Sequence, residues 1–172
     1  MFSLIEKLFS CFDYINEGLE NRILEVSIKH TQMVFCFEDM SSITISDLEK
    51  VNNLSPLLSI SRITTFQDII FVHFENLEKT LALQSADTIK DIELKRKHQA
   101  LFELFDLISH LRDILCTCPN LECVISENYI KVFIDVPNIT VSQVYKVNEL
   151  LETDGMFELD SQRPYILYVK DW

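Results

Sequence analysis

Between Leu24 and Lys29 apolar and polar residues alternate, with Leu24, Val26 and Ile28 on one side of the chain and Glu25, Ser27 and Lys29 on the other. A period of two is the pattern of a half-buried strand. A turn at His30 to Gln32 leads into MVFCFED, apolar on both faces, so the two segments predict a hairpin. The period then lengthens: Ile45, Leu48, Val51 and Leu54 recur at helical spacing and put one apolar stripe on a short helix. Thr44 stands three residues before Asp47, the spacing of a capping box. In that box the threonine oxygen takes an orphan backbone N–H while the residue at the third helical position reaches back to the cap. SISRIT and DIIFVHF return to strand character, completing a unit of two strands, a helix and two strands.

The chain then repeats itself. ITISDLEKVNNL at 43–54 becomes ITVSQVYKVNEL at 139–150, with seven of the twelve positions identical. The second copy keeps a capping box in Thr140 and Gln143 and a stripe in Val141, Val144, Val147 and Leu150. Upstream, Phe37 aligns with Phe133 and Asp39 with Asp135, and a one-residue gap brings LEVSI (24–28) onto LECVI (121–125). Downstream, another single gap brings IIFVHFEN (69–76) onto PYILYVKD (164–171), with MFELD supplying the third strand of the second copy. The expectation is an α+β fold of two pseudo-symmetric ββαββ units with antiparallel sheets, at 20–76 and 118–172, joined by a helical segment at 85–117. Only two glycines and four prolines occur and no linker-like stretch separates the copies, so residues 1–172 are expected to form a single compact body.

Two helical segments fall outside the repeat. Residues 2–17 place Ile5, Leu8, Phe12 and Ile15 on one stripe, with Phe2, Leu4, Phe9 and Tyr14 beyond it. Such a helix buries more than one face, either in the core or, through residues such as Phe2 and Phe9, against a partner or a second copy. From about Ala86, behind the capping candidates Ser85 and Asp87, to Leu115 the pattern is helical again and stops before Pro119. Its length would be roughly 45 Å. The first half is charged, while Leu101, Leu104, Phe105, Ile108, Leu111 and Leu115 make the second half apolar on one broad face. LEKTLALQ (77–84) before it reads as an extra edge strand. The basic run Lys90, Lys95, Arg96 and Lys97 is either solvated and paired with Asp91 and Glu93 or the acidic halves, or a docking point for an acidic partner or second subunit.

Charge narrows the partners. The formal net charge is −12, and the acids are concentrated in the repeats: 11 acids to 5 bases over 1–76 and 9 to 4 over 118–172, against 7 to 6 between. Phosphate binding draws most of its affinity from lysine and arginine, so direct nucleic-acid binding is not expected, and a charged partner should be basic. MFSLIEKLFSCF resembles an export signal only superficially, because Glu6 and Lys7 interrupt it and no small-residue cleavage site follows. No apolar run approaches the roughly 20 residues of a membrane span. With five cysteines this predicts a reducing, cytoplasmic setting, in which the sequons at Asn53 and Asn138 carry no meaning.

Candidate chemistry is sparse. His110, Cys116, Cys118 and Cys123 lie in HLRDILCTCPNLEC, but the spacing is Cys-x-Cys and Cys123 occupies the strand position of Val26, so a packed thiol is favoured over zinc. His30, His73, His98 and His110 are scattered, leaving no Cys/His pair for nucleophilic catalysis. Glu152, Asp154, Glu158 and Asp160 surround Gly155 without the alternating ligand frame of a calcium loop. Neither Gly18 nor Gly155 sits in a phosphate-cradling loop. The expectation is no enzyme and no cofactor.

EKVNNLSPLLSISRI with DIIFVHF, residues 49–74, followed by the long helix, resembles the small acidic chaperones of type III secretion and YbjN-type domains. Two strands, not three, precede the internal helix, and the trailing copy has no counterpart in a single such domain. The resemblance implies a non-enzymatic module that dimerises and holds an extended segment of another protein, the second copy replacing part of a partner subunit. The alternative is an acidic inhibitor that imitates nucleic acid and blocks a basic cleft, as phage counter-defence proteins do.

Overall fold

A computed structural model describes residues 3–20, 22–29, 31–38, 43–52, 60–74, 92–115, 121–134, 139–158 and 163–170, with backbone alone for 60–61 and 92–102. These residues form an α+β fold of four helices and one eight-stranded antiparallel sheet. Helix α1 (Leu4–Gly18) is followed by β1 (Ile23–Ile28), β2 (Gln32–Phe37), α2 (Ile45–Asn52), β3 (Ile60–Phe66) and β4 (Ile69–Phe74). Then come α3 (Ile92–Ile114), β5 (Glu122–Ser126), β6 (Tyr129–Phe133), α4 (Val141–Leu151), β7 (Met156–Glu158) and β8 (Tyr165–Val169). The predicted strand at 77–84 and the Asp39/Asp135 pair lie outside the described residues.

Three helices begin with a capping box. Ser3 Oγ accepts from the Glu6 amide at 3.3 Å, and Glu6 Oε2 accepts from the Ser3 amide at 2.8 Å. Thr44 and Asp47 make the same exchange in front of α2, at 3.2 and 2.9 Å. Thr140 and Gln143 repeat it in front of α4, at 3.2 and 2.8 Å. Each box satisfies two backbone donors that a helix start leaves unpaired.

The strand order is β3-β4-β2-β1-β5-β6-β8-β7, a single sheet instead of one per half. The join is the β1–β5 ladder, in which Val26 faces Ile125, Ser27 faces Val124 and Ile28 faces Cys123. Alternate residues, such as Val26, Phe35, Ile70, Ile125, Val132 and Ile166, point to one side of the sheet and merge into one apolar cluster. That cluster also holds Leu8, Phe12 and Ile15 of α1, Phe105 and Leu111 of α3, Val51 of α2 and Val147 of α4. The four helices therefore share one core on one side of the sheet.

The apolar stripes of α2 and α4 start later than expected, since Ile45 and Val141 in their first turns are exposed. Two further details differ from the sequence reading. Leu24, expected inward, is 52% exposed, and Ile23 is buried in its place. A bulge explains this: Ile23 pairs with Phe37 and Glu25 with Cys36, leaving Leu24 without an opposite residue and turned outward. The second concerns register. The Phe37 amide donates to the Asp68 carbonyl at 3.0 Å, and in the other half it is Ile134, not Phe133, whose amide donates to the Pro164 carbonyl, at 3.1 Å. Phe37 and Ile134 are both buried, whereas Phe133 lies on the opposite face against Tyr165. With a side-chain period of two, a one-residue misalignment exchanges the faces. Val72 and Tyr168 are likewise both buried.

Candidate partner-binding surfaces

A cleft of about 200 Å³ opens where α1, α3 and α4 meet. Helix α1 supplies Leu4, Lys7, Leu8 and Cys11, α3 supplies Glu103, Leu104, Asp106, Leu107 and His110, and α4 supplies Leu150. These spacings place each set on one face of its helix. Leu8, Leu104 and Leu107 form a buried floor, Leu4 and Leu150 are half-buried at the mouth, and Lys7, Glu103 and His110 are exposed around it. His110 Nδ1 lies 2.9 Å from the Asp106 carbonyl and 3.7 Å from its carboxylate. Burial pushes the Cys11 thiol up to about 12, with the Glu103 charge adding to the shift and Lys7 opposing it. A thiol held protonated in this way packs as a small apolar group and is a poor nucleophile.

The sheet face turned away from the core carries a second, denser arrangement. One transverse row runs Thr64, Phe71, Val34, Ser27, Val124, Lys131, Leu167, Met156 across all eight strands. Glu122 accepts from Ser27 Oγ and, at 2.6 Å, from Arg163 Nη1, with Lys29 Nζ 3.9 Å away. Tyr129 donates its hydroxyl to Glu25 at 2.9 Å, so both central strands are cross-linked by carboxylates. The Lys131 ammonium lies 4.9 Å from the ring centroids of both Tyr129 and Tyr165, and the Arg163 guanidinium 4.9 Å from that of Phe133. Burial and the Glu25 hydrogen bond hold the Tyr129 phenol up at about 12. Charges on this face are met by groups of the same chain, so it reads as a brace across the β1–β5 join.

Sequence-predicted residues fall as follows. Phe9 is only 4% exposed and packs in the core, while it also borders a second cleft with Ser10, Asp13 and Lys170, whose Nζ lies 5.6 Å from its ring centroid. Phe2, His30, Cys116, Cys118 and Asp160 lie outside the described residues, and Lys95, Arg96, Lys97 and His98 are placed on α3 by their backbone alone. Cys123 is fully buried in β5, its thiol pushed up to about 12 by burial and by Glu122. Among the described residues no three His, Cys, Asp or Glu side chains are grouped to hold a metal ion. Glu152 and Asp154 are exposed, Glu158 accepts from the Tyr165 hydroxyl, and the Gly155 amide donates to Asn148 Oδ1 at 3.1 Å. Also among the described residues, no helix is long and apolar enough to cross a membrane. The sequence reading missed the cleft, because nothing in the sequence of α1 or α3 alone brings Lys7 to one rim with Glu103 and His110. No protein-family model, curated protein or solved structure matches the chain.

Proposed function

We propose that this chain is a non-enzymatic, cytoplasmic protein-binding module that captures a segment of a partner, in the manner of a chaperone. The observation that carries this reading is the cleft between α1, α3 and α4, with its leucine floor and charged rim. Apolar floor and polar rim are the anatomy of an interaction site, the floor supplying affinity and the rim orientation. The net charge of −12 would speed encounter with a basic partner.

The proposal includes an origin by duplication, with ββαββ units at 20–76 and 118–172 related by a twofold axis through the Ser27–Val124 pair. What supports it is that the β1–β5 ladder pairs Ser27 with Val124, the two residues that align when LEVSI is laid on LECVI, and that the strand order is mirrored about this pair. Matched amide bonds support it too: Phe74 to Thr31 at 3.0 Å and Lys170 to Asn128 at 2.9 Å.

Affinity capture from the native lysate tests the reading, comparing the wild type with Leu4→Ser/Leu150→Ser, which strips apolar area from the mouth. Loss of a captured protein in the variant is the expected result; an unchanged set of captured proteins would sink it. The concentration of acids in the repeats favours a second reading, a nucleic-acid mimic. A mimic would lose most of its affinity between low and moderate salt, whereas groove capture would lose little.

A further inference from the structure

Resting on the protein-binding reading, we propose that the cleft takes a basic amphipathic α-helix, with one large apolar side chain as anchor and its lysines or arginines on the flank facing α3. Length and shape come first. The α1 contribution runs from Leu4 to Cys11 and the α3 contribution from Glu103 to His110, about two turns on each helix or roughly 10 Å. The facing stripes of i, i+3, i+4, i+7 residues on the two packed helices form a groove that a third helix fills with its own ridge. An extended strand suits it poorly, since helix walls offer no free backbone donors or acceptors and the strand's peptide groups would face leucines unpaired.

Volume sets the anchor. A cleft of about 200 Å³ exceeds by a little the roughly 150 Å³ cavity that holds a benzene ring, so it admits one leucine- or phenylalanine-sized group. Charge sets the flanks. Glu103 and Asp106 stand on the α3 side, with His110 one turn further along 3.7 Å from the Asp106 carboxylate, Lys7 stands on the α1 side, and the whole chain repels an acidic ligand. A helix seated with bases toward α3 and an acid or neutral residue toward Lys7 matches both walls, and the reversed helix meets like charge on both. The orientation is thereby specified as well as the class.

The test uses the intact chain and a capped 15-residue fluorescent peptide built from leucine, lysine, glutamate and alanine. Its leucines recur at i, i+3, i+4 and i+7, with lysines along one flank and glutamates along the other. A second peptide of identical composition has the leucines scattered around the helix. The expected result is saturable one-to-one binding of the first peptide and at least a tenfold weaker response to the second. Glu103→Gln/Asp106→Gln and Leu4→Ser/Leu150→Ser should each weaken the first peptide several-fold, and Lys131→Gln on the far sheet face should leave it unchanged. Equal binding of both peptides, or no effect of the cleft variants, overturns the inference. So does a self-associated chain that dissociates in Leu4→Ser/Leu150→Ser and ignores the peptide, which would make a second copy the occupant. Cleft-dependent capture from lysate without peptide binding would overturn the helix assignment and leave the broader reading standing.

Discussion

Tyr168 in β8 donates its hydroxyl to Oδ1 of Asn148 in α4 at 2.8 Å, and the same oxygen accepts the Gly155 amide at 3.1 Å. One side-chain amide therefore ties the end of α4, the following turn and the penultimate strand of the sheet. Tyr168 is buried, so removing its acceptor leaves a hydroxyl unpaired in the core. Asn148→Ala should cost about 2–3 kcal/mol, and Tyr168→Phe, which removes the donor with its need, nearer 1 kcal/mol. Urea denaturation of the two variants checks the ranking, and equal losses would contradict it.

The turn held by that bond contains a stressed and a crowded position. Glu152 caps α4 with φ 57° and ψ 30°, a left-handed conformation that costs a side-chain-bearing residue. Glu152→Gly should stabilise the chain by up to about 1 kcal/mol. A Cβ on Gly155 would lie 2.5 Å from Ile166 Cγ2 and 2.6 Å from the Tyr168 ring. Both belong to buried residues that cannot swing away, so Gly155→Ala should cost about 1–3 kcal/mol. Two glycine exchanges three residues apart are thus expected to move the melting temperature in opposite directions.

How far the sequence disclosed this structure can be followed residue by residue. The capping boxes of α2 and α4 are legible because they are local, spanning three residues, but the stripes only in part: Val51 and Val147 are buried as their spacing predicts, whereas Ile45 and Val141, in the first turns, are 76% and 86% exposed. Leu24 was misplaced because a bulge depends on which residue of β2 lies opposite, information absent from β1 itself. Identity aligns Phe133 with Phe37, yet Phe37 is buried and Phe133 lies against Tyr165 on the other sheet face, which a matching letter does not disclose. The brace of Glu122, Arg163, Ser27 and Lys29 is invisible in the sequence because its members are far apart in the chain: β1–β5 pairing brings Ser27 and Lys29 to Glu122, and the β5–β6–β8 ladders bring Arg163. The cleft likewise required α1 beside α3, which periodicity on either helix does not specify.

The two capping boxes differ in one chemical respect. Asp47 closes the box of α2, whereas the uncharged Gln143 closes that of α4. Burial pushes the Asp47 carboxyl up, but hydrogen bonds from the Thr44 amide and hydroxyl and from the Arg22 guanidinium outweigh it, holding the group below its ordinary value. A carboxyl lowered on folding contributes stability that is present above its unfolded value near 4 and is lost as pH falls through the folded one. Acidification below pH 4 should therefore open α2 before α4. Amide hydrogen exchange would show protection vanishing first at 45–52. Asp47→Asn should flatten that acid response and lower stability at neutral pH by about 2 kcal/mol.

At the alkaline end the buried thiols decide. Cys11 and Cys123 are both held at about 12, against an ordinary 9.0, chiefly by burial. Above pH 9 an unfolded chain releases those protons while the folded one retains them, so the unfolded state binds fewer protons and stability falls as pH rises. The contribution is complete below pH 9 and is lost progressively toward pH 12. These two thiols alone contribute a slope of up to about 3 kcal/mol per pH unit, and Cys36, pushed up to about 11 chiefly by burial, adds to it. Tyr129 and Tyr168, also raised, start from an ordinary 10.0, so the interval between pH 9 and 10 reports mainly on cysteine. Cys123→Val places in β5 the residue that Val26 already is at the matching position of β1, so its cost at pH 7 should stay below about 1.5 kcal/mol. Between pH 9 and 10 the variant should lose stability visibly more slowly than the wild type. Parallel curves for the two proteins would mean that Cys123 ionises as readily folded as unfolded, which its position in the middle of the sheet core forbids.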